Sequence, residues 1–548
     1  MYQPLVTLNG SSMYGGQGVL QVLPDLASNW TITQNGTIYT FNLRQGVTFS
    51  NGDPFNAYQV WGEMYAFYYL SFNSSGWFIG YNFFNMSDVS FGPSTIALMN
   101  QSGLVNPNSQ LLSIMQNNSW PIYVTGPNQI VFKLQVPESY FLEALGMWTG
   151  MIFDTQWALE HGGFGTPVSL NTYFNQHPIP GTGPYMVTSV VEENYVEFTQ
   201  NPTYWGKNLT ATEIASNPYL SPGSAKNVIV QAKTDDVTRY LDLSSGKAQI
   251  ASIQSEDWPL IASSPSTYSY LTLPSNSMLF VGLAMNTLRY PTNITAVRQA
   301  IAHAINYSDI NSTVYFGSLA PMVGPEYSAQ TQFYDLGNFP PYQYNVTLAQ
   351  QILSKANLNA SNFPALEFPV LSGCGPCITV AQIVQGDLAS IGLTVSVQVV
   401  PHTTYNLPLV DSCSYACSYN ASQTIAQLQW IGGLTWAPFA PTPVDSWNTF
   451  VSNQSPSDNY ANYYNPVVQA CVNAFSNGTT ASTLTSLCTK AQAQVYNDAP
   501  YAWFGFCKLF LGAGSIAWKS SVVKSALGDP DYSGLSATVV FNTVQLAS

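Results

Sequence analysis

LPDLASNWTITQNGTIYTFNLRQGVTFSNGDPFNAYQVWGEMYAFYYL, residues 23–70, holds two turn signals on either side of an alternating run. Asn35-Gly36 and Asn51-Gly52 carry turn chemistry, and Ile38-Tyr-Thr-Phe-Asn-Leu43 between them has the period of two expected of a half-buried strand. Asp53 followed by Pro54 predicts an N-cap and first helical residue, with Ala57, Val60, Trp61, Met64 and Tyr68 on one helical face. The predicted order is strand, strand, helix.

Two later stretches extend the pattern. In TAVRQAIAHAINYSDI, 295–310, Val297, Ala300, Ile301, Ala304 and Ile305 share a face, with Thr295 as the expected cap. Residues 365–371 read as a strand, 377–391 as a helix closed by Gly392, and 394–400 as a second strand, which makes a βαβ unit. Strand and helix alternation over the chain argues for an α/β class. No internal repeat, heptad pattern or long low-complexity tract interrupts it.

At 548 residues the chain exceeds one compact core, and about 150 residues per domain predicts three or so. The formal charge is −14, with 14 Lys and Arg against 28 Asp and Glu, which excludes a phosphate-gripping basic surface and so nucleic acid as a partner. Charged residues make up only 8% of the chain against about a quarter in ordinary domains. Such a surface changes little with pH, so it points to an acidophile's acidic surroundings. No run of about 18 apolar residues occurs, and Met1-Tyr-Gln-Pro lacks the start of a signal peptide; the expectation is an exported chain that begins after a removed segment.

Asn-x-Ser/Thr sequons at Asn9, Asn29, Asn35, Asn73, Asn85, Asn100, Asn117, Asn208, Asn293, Asn306, Asn311, Asn345, Asn359, Asn420, Asn453 and Asn477 predict N-linked glycans on an extracellular or cell-surface protein. Seven cysteines accompany them. Cys374-Gly-Pro-Cys377 stands between a predicted strand and a helix start, where a dithiol redox site would stand, yet no other oxidoreductase segment accompanies it and a local structural disulfide is the favoured reading. Cys413 with Cys417, and Cys471 with Cys488 near the ends of two helical stretches, are the other candidate pairs; Cys507 is left over, buried and reduced. Other pairings remain open. His161, His177, His303 and His402 are scattered without metal-ligand spacing. No phosphate loop, dinucleotide fingerprint, nucleophile elbow or HExxH occurs, and the adjacent acids Glu192-Glu193 and Asp235-Asp236 read as solvated loop residues, so neither enzyme nor cofactor is expected.

MYQPLV (1–6), LPDLASNW (23–30), YTFNLRQGVTFSNGDPFNAYQV (39–60), GTGPYMV (181–187), NPTYWG (201–206), the segment 283–310 and AQAQVYNDAPYAWFGF (491–506) together resemble the family 5 extracellular solute-binding proteins, the oligopeptide and dipeptide receptors of ABC importers. The resemblance implies a type II periplasmic-binding-protein-like fold: two α/β lobes around a cleft, plus an extra inserted domain. Lobe I would comprise residues 1–20, 176–272 and 500–548, the extra domain 21–175, and lobe III 273–499. It further implies a noncovalent receptor that closes over its solute and meets an ABC transporter permease, held at the membrane through an anchor outside this chain.

Within that family, the stretch LQWIGGLTWAPFAPTPVDSW, 428–447, answers to a segment where peptide binders carry an aspartate after the tryptophan. Gly432 and Gly433 stand there, and the next acid is Asp445. Trp430 and Trp436 offer flat faces for sugar rings, or belong to the lobe III core. The expected solute is therefore an oligosaccharide or an oligopeptide. Tyr14, Gly15, Gly16 and Asn286, the last near the presumed hinge, fall where the family's cleft is lined. Arg44 and Arg298 are expected to cap carbonyls or pair with acids. The alternative is a structural or adhesive, self-assembling surface glycoprotein that retains the receptor fold.

Overall fold

The computed structural model describes residues 1–9, 21–69, 83–84, 93–138, 141–146, 150–166, 169–223, 225–233, 235–253, 257–272, 280–324, 339–372, 374–401, 426–432, 459–476, 479, 481–507 and 510–514. Strands β1 (Gln3–Pro4), β2 (Val6–Asn9) and β3 (Gln21–Pro24) open the chain, and β2 pairs antiparallel with β3, Val6 opposite Pro24. The expected boundary between residues 20 and 21 thus falls inside a hairpin. Its cross-strand hydrogen bonds hold both arms in one unit.

The decisive segment folds as strand, strand, helix. β4 (Ala27–Thr33) and β5 (Ile38–Leu43) form the hairpin, and α1 (Ala57–Tyr69) follows. The helix begins later than Asp53-Pro54 predicts. Asn56 is the capping residue, its Oδ1 accepting from the Gln59 amide at 3.0 Å, while Asn51 Oδ1 accepts from the Asp53 amide and Pro54 bridges back to Thr48. A short Asx turn therefore consumes the residues that resemble a helix start.

β6 (Ile122–Gly126) and β7 (Gln129–Lys133) complete an antiparallel sheet of order β4-β5-β7-β6, and the predicted face of α1 packs on it: Ala57, Val60, Trp61 and Met64 are buried. Trp61 donates its indole N–H to the Ile122 carbonyl at 3.1 Å and stacks with Tyr65 and Trp120. Burying a side chain of this size contributes about 2–3 kcal/mol, so this face fixes the helix on the sheet.

β8 (Met151–Ile152) pairs with β1 and leads into α2 (Thr155–Glu160). The GTGPYMV motif has a steric basis here. A Cβ on Gly181 or on Gly183 would lie 2.5 Å from the Met1 carbonyl oxygen, to which the Gly183 amide donates at 2.8 Å, so only glycine lets the two segments meet. β9 (Tyr185–Val191), β10 (Tyr195–Gln200) and β11 (Asn227–Gln231) make a three-stranded antiparallel sheet. Glu192 and Glu193 occupy its exposed turn, and Asp235 caps the helix that begins at Asp236, as solvated acids do.

The chain from residue 250 onward supplies the other half. Its elements are β12 (Ile250–Ser252), β13 (Tyr268–Thr272), β14 (Phe280–Met285), α3 (Thr295–Ala304), β15 (Leu319–Ala320), β16 (Leu366–Leu371), α4 (Gly375–Ala389), β17 (Val395–Val400), β18 (Leu428–Gly432), α5 (Pro466–Ser476), α6 (Ala481–Asp498), β19 (Tyr501–Cys507) and β20 (Phe510–Gly514). β16, α4 and β17 are the predicted βαβ unit, with the strands parallel. In α3, Val297, Ala300, Ile301 and Ala304 are buried as the periodicity predicts. Thr295 is not its cap: Ile294 takes that position, and the Thr295 hydroxyl accepts from Arg298 at 3.1 Å.

Cys374–Cys377 and Cys471–Cys488 are disulfide-bonded. Cys471 and Cys488 lie within α5 and α6 rather than at their ends, where two antiparallel helices present side chains to each other along their length. Cys413 and Cys417 lie outside the described residues, and Cys507 is the last residue of β19. No helix among the described residues is long and apolar enough to cross a membrane.

Candidate functional site

Two sheets in this half are joined twice by short crossings. β12, β20 and β13 form one, with β20 in the centre, and the other has the order β15-β19-β14-β18. The chain passes from the first to the second between Thr272 and Phe280 and returns between Cys507 and Phe510. Register places Phe280 and Cys507, where the two passages meet this sheet, at one edge. Phe280 opposes Phe506, Val281 opposes Gly505 and also Gly432, and Leu319 opposes Cys507. The start of β14, the end of β19 and the end of β18 therefore lie together where the chain crosses. β19, whose YAWFGF run is apolar, pairs with β14 and β15.

That sheet is covered on both faces and forms a rigid platform. Phe280, Ala284, Trp503 and Phe506 are buried with Cys471, Val472, Cys488 and Val495 of α5 and α6. Val281, Leu283, Met285 and Phe504 are buried with residues of α3 and α4, among them Val297, Ile301 and Val384. Gly505 makes the crossing edge close-fitting: its φ is 152°, and a Cβ there would lie 2.4 Å from the Ala320 carbonyl oxygen. A glycine inside an apolar strand is a sequence signal for close backbone approach that was available but not used.

Gly432 ends β18 at this edge, and Trp430 opposes the buried Leu283 in the ladder. Residues 280–282, 319–320, 428–432 and 505–507 include no Asp, Glu, Lys, Arg or His, so the described residues of this edge hold no formal charge, while Lys508 stands in the sequence between Cys507 and Phe510, outside the described residues. Gly433, Trp436, Tyr14, Gly15 and Gly16 lie outside the described residues. Asn286 lies at the opposite end of β14. It follows Met285, at the end of β14 remote from the crossing, roughly 20 Å along a strand of this length. Its Nδ2 donates to the Ala426 carbonyl at 3.2 Å, its Oδ1 accepts from the Leu288 amide at 3.0 Å, and it is 2% exposed. Its amide ties the entry of β18 to the exit of β14. Gln427, absent from the sequence candidates, continues that tie: its Oε1 accepts from the Glu367 amide at 2.9 Å, linking β18 to the βαβ unit.

The two arginines cap carbonyls, as expected. Arg44 Nε donates to the Asp25 carbonyl at 2.6 Å, with its guanidinium 4.8 Å from the centre of the Trp205 ring. Arg298 donates to the Asp498 and Thr292 carbonyls at 2.9 and 2.8 Å.

Buried carboxyls cluster near α1 instead of at the crossing edge. Glu63 is fully buried; burial drives its carboxyl well above the usual range, although Oε2 accepts from the Phe153 amide at 3.1 Å. Asp154, also fully buried, caps α2 through the Trp157 amide and accepts from Gln59 and Asn51; burial pushes it up to about 6. These contacts hold α1 and α2 together. No group of three His, Cys, Asp or Glu fit to hold a metal occurs among the described residues. A hollow of about 10 Å³, room for one water, lies between Met322, Tyr342, Tyr496 and Trp503 on the other side of the sheet from α3.

Several sequon asparagines have local structural work. Asn306, Asn345 and Asn359 cap helical turns, accepting from the amides of Asp309, Leu348 and Ser361, and Asn117 accepts from that of Ser119. Asn311 engages the Leu319 backbone with both ends of its amide, at 3.0 and 3.4 Å. Asparagine caps with Ser or Thr in the following turn account for part of the sequon pattern. Asn9, Asn29, Asn35, Asn100, Asn208 and Asn293 also belong to the described residues; Asn73, Asn85, Asn420, Asn453 and Asn477 do not.

This arrangement has relatives. The chain is 28% identical over 385 residues to di/tripeptide-binding protein 2 of Pseudomonas aeruginosa, a match over 69% of this chain and 64% of that protein, a little under two thirds of its length. Its fold is similar to that of NikZ from Campylobacter jejuni, solved in complex with Ni(L-His), at TM-score 0.68 and 18% identity over 94% of this chain and 89% of that one. It is also similar to the periplasmic binding protein DppA of Helicobacter pylori, solved with the peptide STSA, at TM-score 0.67 and 20% identity over 98% of this chain and 92% of that one. Residues 21–457 match the bacterial extracellular solute-binding proteins, family 5 middle, and with the type II periplasmic-binding-protein-like α/β fold described above, the chain belongs to that family.

Proposed function

We propose that this chain captures a small solute between two lobes outside the cytoplasm and presents it to the permease of an ABC importer, and that the solute is a short peptide or peptide-like molecule. The observation that carries this reading is the pair of crossings at one sheet edge. Two short connections at a common edge let the sheets on either side rotate as units, and closure about such an edge engulfs a guest. No covalent step is needed: the solute has only to bind the closed form more tightly than the open one. The name of the di/tripeptide-binding relative supports the peptide class.

The uncharged end of β18 favours a second reading, a neutral oligosaccharide. A peptide's α-amino group finds no carboxylate at residues 428–433, and the next acid in the chain is Asp445. A thermal-shift screen of the purified protein against di-, tri- and tetrapeptides and α- and β-linked tetrasaccharides separates the two. At 1 mM, a ligand of micromolar Kd stabilises by about 4 kcal/mol, well within detection. Stabilisation by peptides alone supports the first reading and by sugars alone the second; a protein indifferent to both classes refutes the pair.

A further inference from the structure

The Cys374-Gly-Pro-Cys377 turn stands between β16 and α4, and its surroundings differ from those of the other described disulfide. Cys471 and Cys488 are 0% and 1% exposed, enclosed between two helices and a sheet. Cys377 is likewise buried, at 2%, but Cys374 is half-buried and is followed by the exposed Gly375 and Pro376. Cys374 is also the N-cap of the fifteen-residue α4, and its Sγ accepts from the Cys377 backbone amide at 3.3 Å. One cysteine of the pair thus keeps part of its surface in solvent, lies at the positive end of a helix and has a donor already aimed at its sulfur.

We infer that Cys374–Cys377 is a thiol-exchange site, opened in the folded protein by low-molecular-weight thiols that leave Cys471–Cys488 closed. An external thiolate attacks the Sγ of Cys374, the less buried cysteine of the two. The sulfur–sulfur bond breaks, and its electron pair leaves on Cys377 Sγ, which takes up the proton the incoming thiol released. A second thiolate then attacks the outer sulfur of the mixed disulfide, expelling Cys374 as a thiolate and forming the oxidised small-molecule disulfide. In sum, two small thiols give two electrons to one protein disulfide and release two protons, one taken up by Cys377 and the other by solvent while Cys374 stays a thiolate. The Cys377 amide and the helix N-terminus stabilise the thiolate left on Cys374, and this favours the open form. A spacing of three residues means that opening releases little chain from constraint, so the surrounding fold can persist.

The test is graded reduced glutathione on the full-length protein at pH 7.5, below its melting temperature, with acid quench, alkylation and peptide mass mapping. Cys374 and Cys377 become alkylated at glutathione concentrations at least 10-fold below those that label Cys471 and Cys488, and circular dichroism stays native. Opening of both disulfides together, or of Cys374–Cys377 only as the protein unfolds, overturns the inference. In Cys377→Ser, Cys374 reacts with a chromogenic aromatic disulfide at least 10-fold faster than the same cysteine in a free 370–382 peptide, whereas Cys377 in Cys374→Ser is slower than the peptide. Equal rates for Cys374 and the peptide refute the site, whatever the stability of the variants, because wild-type mapping reads the same property independently.

Discussion

Removing the Cys471–Cys488 cross-link by the double substitution Cys471→Ala and Cys488→Ala tests how the platform under the crossing edge is held. The bond joins α5 to α6 across a separation of 17 residues, and both side chains share a buried cluster with Phe280, Trp503 and Phe506 of the sheet. Closing a loop of that length removes about 3 kcal/mol of unfolded-chain entropy at 25 °C, whereas the three-residue separation of Cys374–Cys377 corresponds to only about 1.6 kcal/mol. If the half bearing these helices melts as a unit of roughly 150–250 residues, 3 kcal/mol lowers its Tm by roughly 6–12 °C. Scanning calorimetry of the wild type, the C471A/C488A protein and the C374A/C377A protein reads both effects, and hydrogen exchange in residues 466–498 reports whether the loss is local to α5 and α6. The expected order is a large loss for Cys471–Cys488 and a smaller one for Cys374–Cys377. A loss below about 1 kcal/mol for C471A/C488A, or a greater loss for C374A/C377A, refutes the loop-closure argument.

Three further outcomes follow from the same geometry. Gly505→Ala forces a Cβ to within contact of the Ala320 carbonyl at a φ of 152° and should destabilise by roughly 2–4 kcal/mol, with early loss of hydrogen-exchange protection at residues 319–320; unchanged protection would show that the edge has room. Asn286→Ala breaks two buried hydrogen bonds and should cost about 1–3 kcal/mol while leaving the Kd for the solute unchanged, so a variant of normal stability with weakened binding would return Asn286 to the cleft. Burial pushes the Asp154 carboxyl up to about 6 from its ordinary 3.8, so it binds its proton more tightly when folded: its contribution is fully present below about pH 4 and is lost as pH rises through 6. Urea unfolding at pH 5 and pH 8 should show greater stability at pH 5, and Asp154→Asn should reduce that difference; an unaltered pH slope in the variant sinks the assignment.

Much of the fold is legible in short-range pattern. The hairpin at Asn35-Gly36, the buried faces of α1 and α3, and the parallel βαβ unit each rest on periodicities of two or 3.6 that a single segment displays by itself. Element ends are less legible, because the competition that sets them is decided by contacts only a few residues wide. Asp53-Pro54 resembles a helix start, yet Asn51 captures the Asp53 amide and Asn56 takes the cap. The same limit affects the sequons: Asn345 and Asn359 can be read as glycan acceptors or as caps, and only the folded backbone shows the cap in use.

The sequence by itself determined the class of fold, the two described cysteine pairs as candidates, the carbonyl-capping use of Arg44 and Arg298, and the scarcity of charge that leaves the end of β18 neutral. Tertiary structure alone decided which strands share a sheet, and with that the functional geography. β19 joined β14, Asn286 fell at the other end of that strand, and Gly432 came to the edge where the chain crosses twice. The physical reason is range. Side-chain periodicity and capping are set within a turn or two of the chain, but pairing residue 281 with both 432 and 505 joins segments more than 150 residues apart, and no local pattern encodes which partner will satisfy a strand's exposed hydrogen-bonding edge.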